Sequence, residues 1–319
     1  MLDAMLYVMP LIIGAILEVM FGDPPGIPTP RSLAELVCAK LRDKNEGKVE
    51  AGKWTALIMA GALAAAALAS ALLYLIIPPL GAVLEGILCW WCFSARHVFD
   101  ETMKIHDRLK EGYITDAKVQ ISMVSERDTS DLEEDGIVRA AVEAAAEGTA
   151  VEASAPLFWM MIGGAPLAVM YRAAQAAAHI FSSPTQPDNA ADKAYRFMEA
   201  APAALAAQAA ALTAGIVKLD SKTAQAILKR DGRKYRPFSA VHSAFAGALG
   251  VKLGGDISYG GEVIHRDMVG DEKTEIHFED IQSSDKLLCA ASGGMLLLSC
   301  IIRMILMAIV MYIGHKLFR

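Results

Sequence analysis

The chain has 319 residues, 54% of them hydrophobic, with a formal net charge of −6 and a mean hydropathy of +0.36. A net negative charge gives no basic field of the kind nucleic-acid binding needs, which excludes that class of partner. Apolar runs long enough to cross a bilayer exclude a simple soluble globule, and five cysteines are too few for a disulfide framework.

The first apolar run, 4–21, follows Met1-Leu2-Asp3 with no basic residue ahead of it. It therefore reads as a retained membrane helix and not as a cleaved signal peptide. It runs into FGDPPGIPTPR, residues 21–31. Gly22 permits an unusual backbone angle at the helix end. Pro24, Pro25, Pro28 and Pro30 disfavour helix and predict a stiff, extended strap. Such a strap would hold Asp23 and Arg31 near the membrane face, with a plain stop signal as the alternative. Glu18, one turn earlier, is expected to face the same cavity.

Residues 55–77 form a span by length and lack of charge, and 79–95 a short one. Cys89 and Cys92 form a CxxC inside that run. With no second CxxC and no HxxxH to complete a zinc site, they read as buried thiols. In 125–150, Ser130-Asp131-Leu132-Glu133 matches a capping box and predicts a helix start near Asp131. On that helix Arg139, Glu143 and Glu147 share one face. Acids on an apolar helix beside a membrane are costly unless they meet a partner or ligand; an exposed ion-pair ladder is the alternative. Arg127 and Asp128, just before, suit an anion clamp and a metal-binding carboxylate.

Residues 155–181 form a span broken by Gly163, Gly164 and Pro166, followed by an outer loop at 182–193 and a short span at 200–217. In 246–271, Gly254-Gly255 and Gly260-Gly261 bracket a flexible loop with Tyr259. Backbone amides in such loops cradle phosphate, although turns between short elements explain the glycines equally well. No GxxxxGK[ST] motif occurs, so this is no Walker loop. The last span, 287–313, contains Arg303, whose cost in lipid predicts that it faces the protein interior.

These elements predict an all-α, polytopic integral membrane protein, a single membrane-embedded domain over 1–319. Its polar segments 22–54, 96–150 and 218–286 carry many Lys and Arg, which places them in the cytoplasm with the N-terminus outside. Asp23 and the 127–147 segment are expected to converge in one pocket at the inner membrane face.

The quoted stretches carry a resemblance. Phe21-Gly22-Asp23-Pro24-Pro25, Arg127-Asp128-Thr129, Ile137-Val138-Arg139-Ala140 and Val142-Glu143 resemble the CbiB/CobD family of corrin-pathway membrane proteins. Ala155-Pro156-Leu157-Phe158-Trp159, Gly163-Gly164-Ala165-Pro166 and Tyr171-Arg172-Ala173 follow in the same order. So do Ala246-Gly247-Ala248-Leu249-Gly250, Leu253-Gly254-Gly255 and Tyr259-Gly260-Gly261. The resemblance implies adenosylcobinamide-phosphate synthase activity in cobalamin biosynthesis, at the cell membrane. This is ATP-dependent amide formation between aminopropanol, or its phosphate, and adenosylcobyric acid, with Mg²⁺. It implies Asp23, Asp128, Glu143 and Glu147 as catalytic groups, and Asp128 and Glu147 as metal ligands. Arg127, Arg139, Thr129, Tyr259, Gly254 and Gly255 would bind substrate. A homo-oligomer, or an assembly with other cobalamin-pathway membrane enzymes, is compatible with it. The chain departs from the family pattern at Glu126, Gly148, Val151-Glu152, Gln175–Ile180 and Pro237–Ala240, where the family carries glycine, Asn or Asp. Either the site is rearranged, recruiting His179 or Glu152, or the chain is a non-catalytic member that keeps the fold and binds a corrinoid or a pathway enzyme. A transporter is the third reading, resting on the broken 155–181 span.

Overall fold

The computed structural model describes residues 2–23, 26–44, 50–125, 127–182, 189–235 and 238–317. It is 80% helical. In chain order the helices are α1 Leu2–Phe21, α2 Pro30–Lys44, α3 Ala51–Ile76, α4 Pro78–Cys92, α5 Ala95–Lys110, α6 Ile114–Ser125 and α7 Glu134–Gly148. A π-helical segment, Thr149–Ser154, leads into α8 Ala155–Phe181. Then come α9 Ala190–Thr213 with a 3-10 turn Ala214–Val217, α10 Ser221–Asp231, α11 Ser239–Leu249 and α12 Glu279–Leu317. Four stretches are long and apolar enough to cross a membrane: Ala51–Ile76, Glu134–Phe181, Ala190–Val217 and Glu279–Val310. Tyr7–Phe21 in α1 is a shorter apolar helix, as is the 15-residue α4. The expected all-α membrane class holds.

The chain divides into two compact units. The first comprises Met1–Ser94, Ala155–Met198 and Met295–Arg319. Small residues set its packing. Ala173, Ala174, Ala176 and Ala177 of α8 are buried against Ala34 and Cys38 of α2, Ile58 and Met59 of α3, and Ala191 and Met198 of α9. A Cβ on Gly86 of α4 would lie 2.7 Å from Ile13 of α1. Without a hydrophobic force between helices in lipid, such close approach is what holds them. Cys89 and Cys92 are buried and free, as expected.

Several boundaries differ from the sequence-based expectation. Pro30 opens α2 instead of extending a strap: Thr29 Oγ1 accepts from Ser32 N at 3.2 Å, and proline suits the first helical position. Arg31 then pairs along the helix with Glu35 at 2.9 Å. Pro24 and Pro25 lie outside the described residues. Residues 190–193 belong to helix and not to an outer loop. Asn189 Oδ1 caps α9 by accepting from Ala191 N and Asp192 N at 2.9 and 3.0 Å. The helix therefore starts ten residues before the predicted span at 200. The span at 287–313 lies within the longer α12.

The break in α8 occurs where the sequence puts it. Gly163 and Gly164 leave helical angles, Gly164 at φ 70°. A Cβ there would come within 2.3 Å of Glu85 Oε1. Gly164→Ala combines that clash with left-handed backbone strain, so a loss of at least about 2 kcal/mol is expected, measurable by chemical unfolding in detergent.

Arg303 is buried, as predicted. Its Nη2 donates to Glu85 Oε1 at 2.7 Å and its Nη1 to the Met160 carbonyl at 3.3 Å. Glu85 also accepts from Tyr74 Oη at 2.6 Å.

The second unit, Ala95–Ser154 and Glu199–Gly294, centres on α7. Ile137, Val138 and Val142 are fully buried, as are Ile105 of α5 and Ile121 of α6. The helix starts at Glu134, three residues later than the capping box predicts, and Glu133 makes no side-chain cap. Residues 128–131 are used elsewhere: Leu132 N reaches the Thr129 carbonyl at 3.3 Å, and Thr129 Oγ1 donates to the Lys118 carbonyl at 3.1 Å. Glu134 and Asp135 in the first turn favour the helix dipole in place of a cap.

The expected flexible glycine loop is folded. β1 Leu253–Gly254 pairs antiparallel with β4 Met268–Val269, and β2 Ile257–Tyr259 with β3 Glu262–Ile264. Gly260 and Gly261, at φ 57° and 83°, form the two-residue turn of the second hairpin, where positive φ at both positions matches the strand twist.

Candidate functional site

In the second unit, Glu143 sits at the middle of a charged cluster. It is fully buried on α7. Its Oε2 accepts from Arg127 Nη2 and from Arg266 Nη2, each at 3.0 Å. Its Oε1 accepts from the Gly254 amide at 2.7 Å. Two guanidinium groups and a backbone amide together compensate the burial of this charge. A carboxylate with every oxygen engaged is a hub for cations and not a free base. The exposed-ladder alternative fails, because Glu143 is buried and its cationic partners come from outside α7.

Arg127 is nine-tenths buried, and its Nε has no hydrogen-bond partner; nor does the buried Nε of Arg139. Unsatisfied guanidinium N–H groups beside a saturated carboxylate leave the cluster with spare donors for an anion. Arg266 also donates from Nε to the Gly255 carbonyl at 3.3 Å, and its guanidinium lies 5.4 Å from the Tyr235 ring centre.

Next to the hub, Tyr235 Oη lies 2.6 Å from His242 Nδ1. His242 is fully buried on α11. Its Nε2 is 3.1 Å from Glu147 Oε1, at ion-pair distance but off the line of a hydrogen bond. Glu147 is 31% exposed and is the acid of the cluster with an open side. Burial, then the charge of Glu147, push the Tyr259 phenol above its usual value; burial, then the charge of Glu143, do the same for Tyr235.

Asp128 ties the 127–129 segment to the hairpin. Its carboxylate accepts from Ser258 Oγ at 2.6 Å and from the amides of Gly260 and Gly261 at 3.1 and 2.8 Å. Its own amide donates to the Ser258 carbonyl at 2.8 Å. The Ser258 hydroxyl and the two glycine amides hold this carboxyl below its usual range. Of the amides expected to cradle a phosphate, those of Gly260 and Gly261 are thus occupied by a side chain of the same chain.

Arg127, Asp128, Thr129, Arg139, Glu143, Glu147, Gly254, Gly255 and Tyr259 all lie in the second unit, and Asp23 in the first. His179, considered as a recruit, also lies in the first unit, 3.2 Å from Glu35. Arg266, His242 and Tyr235 escape sequence-based reasoning. Arg266 stands in a quoted motif stretch but looks like loop charge, and His242 is one polar residue on an otherwise apolar helix. Both Asp128 oxygens are engaged, and no group of three His, Cys, Asp or Glu able to hold an ion occurs among the described residues.

These features define a helical membrane protein with an arginine-rich cluster built on a buried carboxylate. The chain belongs to the CobD/CbiB family: the model of the CobD/Cbib protein family matches residues 11–288. "Cobalamin biosynthesis protein CobD" of Clostridium perfringens is 36% identical over 243 residues, 73% of this chain and 76% of the relative. The protein of the same name from Geobacter metallireducens is 30% identical over 302 residues, covering 91% and 95%. "Cobalamin biosynthesis protein CbiB" of Salmonella arizonae is 29% identical over 221 residues, covering 67% and 69%. No solved structure matches.

Proposed function

We propose that the chain acts in cobalamin biosynthesis as a membrane ligase. It would join aminopropanol, or its phosphate, to a carboxyl side chain of adenosylcobyric acid at a site facing the cytoplasm. The names of the relatives support the pathway. The observation that carries the chemistry is the buried Arg127 guanidinium with a spare donor, beside Arg266 and the partly open Glu147.

Carboxylate and amine do not condense unaided in water, so ATP would transfer its terminal phosphoryl group to the carboxylate, releasing ADP, and the amine would then displace inorganic phosphate from the acyl carbon. Arg127, Arg139 and Arg266 bind and orient anionic oxygens, where a guanidinium fork is favoured. Glu147, backed by the His242 imidazole, takes the ammonium proton so that the amine attacks as a neutral nucleophile. Glu143 holds the two arginines in place, and Asp128 holds the hairpin carrying Tyr259. Mg²⁺ would enter with the nucleotide phosphates.

The test is complementation of a strain lacking the synthase, fed cobyric acid or cobinamide. Growth on both supports the ligase; growth on cobinamide alone makes this chain a non-catalytic member. In purified protein, Glu147→Gln is expected to lower kcat about 100-fold or more with KM little changed. Arg127→Ala is expected to lower kcat/KM about 10- to 100-fold, as for the loss of a charged hydrogen bond. Full activity in Glu147→Gln would remove it as the base.

A further inference from the structure

We propose that the first unit contains a second binding site, for an uncharged amphiphile bearing a hydroxyl or carbonyl head. A cavity of about 430 Å³ is lined by Ser70, Glu85, Gly164, Arg303, Met307 and Val310, with Tyr7 at its wall. That volume lies in the range of small-molecule sites.

The polar groups of the cavity decide what fits. Glu85 and Arg303 neutralise each other and are further held by Tyr74 and the Met160 carbonyl. A charged ligand would have to compete with that pair and shed its own hydration. Ser70 is different. It is 6% exposed on α3, and its hydroxyl has no hydrogen-bond partner. Serine in a membrane helix ordinarily bonds a backbone carbonyl, as Ser299 of α12 does to Leu157 at 3.3 Å. An unsatisfied hydroxyl in an apolar setting is costly. A pure hydrocarbon would leave it so, whereas a neutral head group with an apolar tail satisfies both the hydroxyl and the methionine, leucine and valine walls.

The test uses the full chain in nanodiscs and a diazirine-bearing decanol, with photolabelled peptides mapped by mass spectrometry. Labelling is expected on the cavity walls from α8 and α12, near Ile162 and Met307. Unlabelled 1-decanol should suppress it about tenfold more effectively than decane or decanoate, the ratio one buried hydrogen bond provides. Ser70→Ala should erase the preference of decanol over decane, and Ser70→Thr should keep it. Labelling confined to exposed faces such as Leu75 and Leu297, equal competition by decane and decanol, or a preference that survives Ser70→Ala would each overturn the site. The first of these is the outcome for a cavity holding water only. Ligase activity is not part of the readout, so failure here leaves the second-unit proposal untouched.

Discussion

Replacing Glu143 by glutamine is expected to destabilise the protein by about 3–5 kcal/mol, the cost of breaking a buried ion pair from one side. Arg127 and Arg266 then stay buried with no counter-charge, and the Gly254 amide keeps only a neutral acceptor. Chemical unfolding in detergent should show the loss as a lower denaturant midpoint for Glu143→Gln than for the native chain. Activity should vanish in the variant even under conditions where it folds, since both arginines lose their anchor. A variant unfolding at the native denaturant midpoint would remove Glu143 from the centre of the site.

Much of this hub is visible in sequence, and the invisible part has a physical reason. Glu143 stands out as an acid on an alanine-rich helix, and the rule that such a group needs a partner points the right way. The partner is less legible. Arg139, one turn away, looks right by spacing, yet the ion pairs come from Arg127 and from Arg266, 123 residues distant. A long-range pair leaves no periodic trace.

The departures from the family pattern divide in the same way. Gly148 stands where the family carries Asn, and a Cβ there would lie 2.6 Å from Val98 of α5. In this chain the position is a close helix contact with no room for a polar side chain. Gln175 still presents an amide, which accepts from the buried Arg172 at 2.8 Å. Some apparent losses are thus repacked and others chemically retained, which sequence alone does not distinguish. Helix starts are the least legible feature. The capping-box letters at 130–133 are spent on a turn, while α9 begins at an asparagine inside a stretch rich in loop formers. In both places the deciding hydrogen bonds depend on which neighbours are already engaged.

The pair in the first unit gives the other large effect. Arg303→Met is expected to cost about 3–5 kcal/mol, because Glu85 is left buried without its cation, facing only the Tyr74 hydroxyl and the distant Ala165 amide. Nothing near Glu85 in sequence announces this dependence, since its cation lies 218 residues away. If the penalty arises from the acid that has lost its cation, a second substitution should relieve it. Glu85→Gln keeps an acceptor for Tyr74 while removing the charge. The double variant Glu85→Gln/Arg303→Met should therefore recover at least half of the loss, a coupling of about 2 kcal/mol or more in a double-mutant cycle. Strict additivity of the two substitutions, measured by unfolding in detergent, would show that each side chain acts through packing alone and that the charge pair is not what keeps the break in α8 in place.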